Sequence, residues 1–216
     1  MPVYGKNRTH RPMPELPEVC ADTPDLMGLR QPKGEQTIVR DPVTGKRMLG
    51  DVFAWGSKST SVDEAELKGF PLSHTVRYII GKTGVEKPVI VDWGCGRGAT
   101  VTELSGRFPK ARCYGYSREY HPQWAGNESV KFIHAPSGEL ARYLKDESVD
   151  LIYSYLGMGH MRGQEQATEI GKLIPKLKHG GCMLIDSLKP EAIDRLAGRE
   201  DIEIGMAMIS VGIRRK

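Results

Sequence analysis

From about residue 61 onward, apolar runs alternate with amphipathic stretches. Ser61-Val62-Asp63-Glu64 has the form of a capping box, in which side chains satisfy the orphan amides of a helix start. It predicts a short helix to about Gly69, and a second helix is expected from about Ser73 to Ile80, closed by Gly81. Lys87-Pro88-Val89-Ile90-Val91-Asp92 reads as a buried strand, followed by a glycine-rich turn and a helix over about Ala99 to Phe108. Ala111 to Tyr116 and Val130 to His134 read as the second and third strands. Ser137 is placed to cap a helix to about Leu144, and Val149 to Tyr155 reads as a fourth strand.

Ala167, Ile170, Leu173, Ile174 and Leu177 recur at helical spacing and predict an amphipathic helix over about Gln164 to Lys178. Pro175 is expected to interrupt its last turn, and Gly180-Gly181 to end it. Cys182 to Asp186 then forms a fifth strand, Pro190 to Leu196 a short helix, and Ile202 to Ile213 a long final strand or hairpin. Strands separated by helices pair in parallel through right-handed crossovers. The fold class is therefore α/β, with a doubly wound, mostly parallel sheet.

The first 60 residues break this pattern. Seven of the fourteen prolines fall before residue 51, and hydrophobic periodicity is poor there. The stretch reads as an extended, irregular N-terminal arm or lid, with residues 61–216 as the folded domain. Phe53-Ala54-Trp55 is a packing anchor of that arm or a lid over the site.

Composition changes the picture little. A net charge of +4 permits an acidic or nucleic-acid partner without arguing for one. The four cysteines lack metal-ligand spacing, which argues against a metal site and fits a reducing compartment. There is neither a signal-peptide core nor an apolar run near the ~18 residues of a membrane span, so a soluble cytoplasmic protein is expected.

The chemistry concentrates in Asp92-Trp93-Gly94-Cys95-Gly96-Arg97-Gly98, at the carboxyl end of a strand, where open α/β sheets place ligands. Alternate glycines let the backbone bend and approach a ligand closely. Gly94 to Ala99 also fits the dinucleotide fingerprint GxGxxA, a weak signal on its own. Asp92 suits a cationic ligand and is a poor neighbour for a pyrophosphate. A dinucleotide site also wants an acid about 20 residues on, at the end of the second strand, where Tyr116-Ser117 stand.

On these residues the sequence resembles the class I S-adenosylmethionine-dependent methyltransferases over roughly residues 86–190. Val149 to Ser154 is similar to the family's fourth strand, and Met158-Gly159-His160-Met161 to a segment that follows it. Ile174 to Ile185 is similar to the family's turn into the fifth strand. The resemblance implies a Rossmann-like methyltransferase fold, S-adenosyl-L-methionine as cofactor, and an enzyme. It places Asp92, Gly94, Cys95 and Gly96 along the methionine moiety, Ser117 and Glu119 by the ribose, and Ala135 and Pro136 by the adenine. Tyr153 and Ser154 would lie near the cofactor, with Tyr155, Leu156 and His160 toward the transferable methyl. Tyr153 and Tyr155 are expected on opposite faces of the sheet, one facing ligand and one in the core. His160 is the candidate base, since imidazole titrates near neutrality, and Tyr155 its candidate catalytic partner.

The sequence departs from the family at three points. No acid ends the second strand, none follows the third, and the chain after the fifth strand reads as too short for the full closing helix and hairpin. Trp93 is expected to pack beside the sheet. Arg97 is a solvated guanidinium or a guide for an anionic substrate. His121 and Trp124 fall near the expected adenine edge. A small-molecule acceptor is favoured because the segment around His160 resembles that branch most. RNA or protein methylation, and a catalytically silent binding subunit, stay open, as does a homodimer.

Overall fold

The computed structural model describes residues 38–40, 47–49, 60–207 and 210–216. Phe53-Ala54-Trp55 and most of the N-terminal arm lie outside the described residues. Within the arm, β1 (Ile38–Arg40) pairs antiparallel with β2 (Arg47–Leu49).

The domain opens with α1 (Val62–Leu67), whose start is set as the sequence pattern implies: the Ser61 hydroxyl accepts the Glu64 N–H at 3.0 Å. Next comes α2 (Leu72–Thr83), which runs three residues past the expected end at Ile80. Gly81 lies inside the helix. The stop is Gly84, which takes the left-handed conformation (φ 67°) that glycine adopts without a Cβ penalty.

Alternating strands and helices follow: β3 (Val89–Trp93), α3 (Ala99–Arg107), β4 (Arg112–Ser117), β5 (Val130–His134) and β6 (Val149–Ser154). After them come α4 (Gly163–Leu173), β7 (Leu177–Asp186), α5 (Pro190–Ala197), β8 (Ile202–Ala207) and β9 (Ser210–Arg215). The seven strands β3 to β9 form one sheet in the order β5-β4-β3-β6-β7-β9-β8. β3 to β7 pair in parallel, while β9 runs antiparallel to both β7 and β8.

The apolar runs of β3 and β6 follow from their place at the centre of a sheet covered on both faces. Alternate residues feed two cores. Ile90 and Leu151 pack with Ile79 and Leu104 of α2 and α3, whereas Val91 and Ile152 pack with Ile170 and Leu173 of α4. The chain turns one way from β3 to β4 and the other way at β6. This reversal opens the crevice between the carboxyl ends of β3 and β6 that doubly wound sheets use for ligands.

Four expectations need correction. Residues 137–144 carry only a 3-10 turn at Leu140–Tyr143. The helix expected to reach Lys178 ends at Leu173, because Pro175 lacks the N–H and directs Ile174–Lys176 into a 3-10 turn. Gly180-Gly181 therefore does not close a helix but lies within β7, where the β6 pairing shifts register between Val149 and Leu151. Glycines often mark such irregularities inside strands. The chain after β7, read as too short for a full closing helix and hairpin, carries both: α5 takes eight residues from Pro190, and β8 and β9 take six each.

Candidate functional site

Asp92 sits at the carboxyl end of β3 with 4% of its surface exposed, and accepts the Tyr153 hydroxyl hydrogen at 2.9 Å. Burial pushes its carboxyl from the ordinary 3.8 up to about 7, against the lowering effect of that hydrogen bond. A desolvated carboxylate with a single neutral partner is stabilised by a cation brought beside it.

The loop beyond it takes the shape its glycines permit: Gly94, Gly96 and Gly98 have φ of 85°, 51° and 81°. The Gly94 and Cys95 amides donate to the Tyr116 carbonyl at 2.8 and 3.0 Å. Trp124 Nε1 holds the Gly96 carbonyl at 3.0 Å. The Cys95 thiol is turned onto β4, since a Cβ at Gly115 would stand 2.8 Å from its sulfur. Burial raises that thiol well above its ordinary value, so it stays protonated.

At the end of β4 the Ser117 hydroxyl accepts the Glu119 N–H at 3.2 Å. The Glu119 carboxylate lies 3.7 Å from Arg118 Nε and 4.0 Å from His121 Nε2. Beyond β5, Ala135 is buried with its N–H on the Ser117 carbonyl, and the Pro136 carbonyl accepts the Tyr116 hydroxyl at 2.6 Å. These contacts bring the ends of β3, β4 and β5 to one crevice.

The end of β6 closes the other side. Ser154 is fully buried, and its hydroxyl accepts the Met158 N–H at 2.9 Å, which anchors the Met158–His160 turn. Tyr153 and Tyr155 do not face opposite ways. Residues two apart on a strand share a face, and both join the core formed with α1 and α2. Tyr155 lies on the Phe70 ring at 5.0 Å, and burial raises its phenol while Lys68 opposes the rise. His160 is exposed at the end of its turn, where desolvation, Arg118 and Lys189 all lower its imidazole.

Trp93 does pack beside the sheet, with its indole N–H on buried Glu169 at 3.0 Å. Trp124 is buried and stacks on Phe132 at 4.7 Å, so its ring supports the glycine loop. Among the described residues no group of three His, Cys, Asp or Glu side chains could hold a metal.

Three residues that sequence reasoning passed over organise this end of the sheet. A Cβ on Gly157 would stand 2.6 Å from the Trp93 carbonyl, and one on Gly94 would stand 2.9 Å from Gly157 Cα. The two loops thus meet backbone to backbone. Asp186, buried at the end of β7, accepts the Leu156 N–H at 2.8 Å and holds Leu156 at a φ of 65°. Such strained residues persist where surroundings over-determine them, commonly at functional sites. Fully buried Gln166 donates to the Met158 and Ser187 carbonyls at 2.9 and 3.2 Å and accepts the Lys189 N–H at 2.9 Å. The available signal was a glutamine one turn before Ile170 on the apolar stripe of α4.

No protein-family model matches the chain, and no curated protein matches it in sequence. Solved structures do match. The plantazolicin methyltransferase BpumL superposes with a TM-score of 0.56 at 15% identity, over 77% of this chain and 90% of its own. A protein of Methanococcus maripaludis described as an S-adenosyl-L-methionine-dependent methyltransferase gives 0.51 at 15% identity, over 71% and 89%. A TehB-like methyltransferase of Corynebacterium glutamicum gives 0.50 at 16%, over 66% and 86%.

The chain has the class I methyltransferase fold. In that fold the glycine loop, the Asp92 carboxylate and the β6 loop occupy the switch point of the sheet, and the antiparallel β9 between β7 and β8 completes the topology.

Proposed function

We propose that the chain is an S-adenosylmethionine-dependent methyltransferase acting on a small molecule. The carrying observation is Asp92, a buried carboxylate at the fold's switch point, held by one neutral hydroxyl and raised to about 7. Its chemistry fits a ligand with an ammonium and a sulfonium and repels a pyrophosphate. Among the solved neighbours, BpumL was captured with a desmethyl substrate analogue and S-adenosylhomocysteine, which supports a small-molecule acceptor.

When bound, the cofactor supplies a methyl group on a sulfonium with a good leaving group. Asp92, with the Gly94 to Gly96 backbone and Cys95 between them, would hold the methionine end. Ser117 and Glu119 would lie by the ribose, Ala135 and Pro136 by the adenine, and Tyr153 orients Asp92 while Ser154 shapes the loop. Orientation of reacting atoms supplies on the order of 7–11 kcal/mol in favourable cases, and the clamped loops serve that end. The lowered imidazole of His160 is neutral at pH 7 and suited to accept a proton from the acceptor. The raised Tyr155 phenol keeps its proton and can donate a hydrogen bond to the acceptor.

Calorimetric titration with S-adenosylmethionine, with NADH as control, tests this reading. Binding near the micromolar range, about −8 kcal/mol, is expected, with no heat from NADH. Folded protein that ignores S-adenosylmethionine would leave the silent binding subunit, the reading that Ser117 in place of a strand-end acid favours. Strongly salt-dependent retention on RNA would move the acceptor to nucleic acid.

A further inference from the structure

Consecutive residues of a strand face opposite sides of its sheet, and at the end of β3 both sides are gripped. Asp92 accepts the Tyr153 hydroxyl hydrogen at 2.9 Å, and Tyr153 belongs to the core shared with α2 and α3. Trp93 belongs to the other core, and its indole N–H donates to Glu169 of α4 at 3.0 Å. Glu169 is 2% exposed, and its second oxygen, Oε2, is buried with no hydrogen-bond partner. Protonated or ionised, that oxygen goes unsatisfied, which costs stability. Burial raises the carboxyl above its ordinary 4.5, against the opposing pull of the indole N–H and of Lys172. Packing alone would favour an apolar residue here, as at Ile170 and Leu173 of the same helix.

Trp93 is a joint between loops. A Cβ on Gly157 would stand 2.6 Å from its carbonyl, so the loop after β6 rests on it. Its ring leans on Tyr116 at 5.7 Å. Tyr116 in turn takes the Gly94 and Cys95 amides on its carbonyl and bonds the Pro136 carbonyl through its hydroxyl. The same face of α4 reaches the remaining loops. Gln166, three residues before Glu169, binds Met158, Ser187 and Lys189. Lys172, three residues after it, donates to the Gly138 carbonyl at 3.4 Å. Residues three apart are neighbours on a helix surface, so one polar stripe of α4 ties together the ends of β3, β5, β6 and β7.

We propose that Glu169 is a positioning residue for the cofactor: by holding the Trp93 indole from α4, it fixes the turn from Asp92 into the glycine loop and so sets the affinity for S-adenosylmethionine. This rests on the methyl-transfer reading and adds to it a residue behind the ligand crevice. Both carboxylate oxygens of Glu169 are buried, so it acts through Trp93 and not on the ligand. A neutral acceptor of the same length can therefore replace it, and an apolar side chain cannot.

The test is calorimetric titration of S-adenosylhomocysteine into the full chain and into Glu169→Gln, Glu169→Leu, Trp93→Phe and the double variant Trp93→Phe/Glu169→Leu. Glu169→Leu and Trp93→Phe should each weaken binding about tenfold, and Glu169→Gln should stay within about threefold of the wild type. The double variant should bind no more weakly than either single one, since both break the same bond. Unchanged affinity in Glu169→Leu would overturn the proposal, as would a Gln variant as weak as the Leu variant. Losses that multiply in the double variant would also overturn it, because Glu169 would then act through packing and not through the indole. Should Glu169→Leu fail to fold, Trp93→Phe decides, since it keeps a ring and loses the N–H; wild-type affinity there refutes the proposal. The Trp93 indole N–H, assigned in 15N spectra by its loss in Trp93→Phe, reads the clamp without any cofactor. Its hydrogen exchange should be slow in the wild type and Glu169→Gln and about tenfold faster in Glu169→Leu. A wild type that binds no S-adenosylhomocysteine would sink the methyl-transfer reading, whereas equal exchange in all three chains would refute the clamp itself.

Discussion

Replacing Asp92 by Asn tests the electrostatic core of the proposed function, because the same burial that prepares the carboxylate for a cation should destabilise the ligand-free fold. The folded value is about 7 against an ordinary 3.8. Between those two pH values the unfolded chain has released this proton and the folded chain has kept it. Stability therefore falls as pH rises through the window, and the full cost is present above pH 7. About three pH units correspond to about 4 kcal/mol. Asp92→Asn removes that cost and retains a carbonyl oxygen for the Tyr153 hydroxyl, but buries an amide donor at a pH-independent cost of about 1–3 kcal/mol. The stability difference between variant and wild type should thus shift by about 3 kcal/mol in the variant's favour from pH 5 to pH 8. Urea unfolding of both proteins at four pH values and constant ionic strength measures it. Parallel stability curves would refute the premise that Asp92 is a desolvated acid. S-adenosylmethionine binding should be lost in the variant, and undiminished affinity would remove the observation on which the function rests.

Wild-type affinity for S-adenosylmethionine should rise from pH 5.5 to pH 7.5, because binding a cation favours the ionised Asp92; calorimetry at both values reads it, and a flat profile contradicts the assignment. Gln166→Leu would orphan two carbonyls and an N–H at 2.9–3.2 Å and should cost about 2–3 kcal/mol by urea unfolding; a loss under about 0.5 kcal/mol would show that the loops re-pair with water. Gly157→Ala puts a Cβ 2.6 Å from the Trp93 carbonyl, so a loss of about 1–3 kcal/mol and weakened S-adenosylhomocysteine binding are expected. Wild-type behaviour in both assays would mean that the two loops do not touch in solution.

The parts of this molecule that were legible in its sequence share a physical reason. Val89 to Asp92 and Val149 to Ser154 are apolar runs because they lie at the centre of the sheet, and their type and order can be read from local pattern alone. Gly94, Gly96 and Gly98 are legible because a left-handed backbone restricts residue choice at each position separately. Where local signals competed, reading failed: Gly81 looked like a helix stop three residues before Gly84, and Gly180-Gly181 looked like a terminus when Pro175 had already ended the helix.

What stayed hidden is pairwise and distant. Gln166 is one polar residue on an apolar stripe, and only the fold reveals that it joins Met158 to Ser187 and Lys189. Asp186 reads as the end of a strand until Leu156, thirty residues earlier, is found on its carboxylate. Gly157 gains its meaning from Gly94, in a different loop. The glycine loop, by contrast, can be read one position at a time, because each left-handed residue restricts its own position.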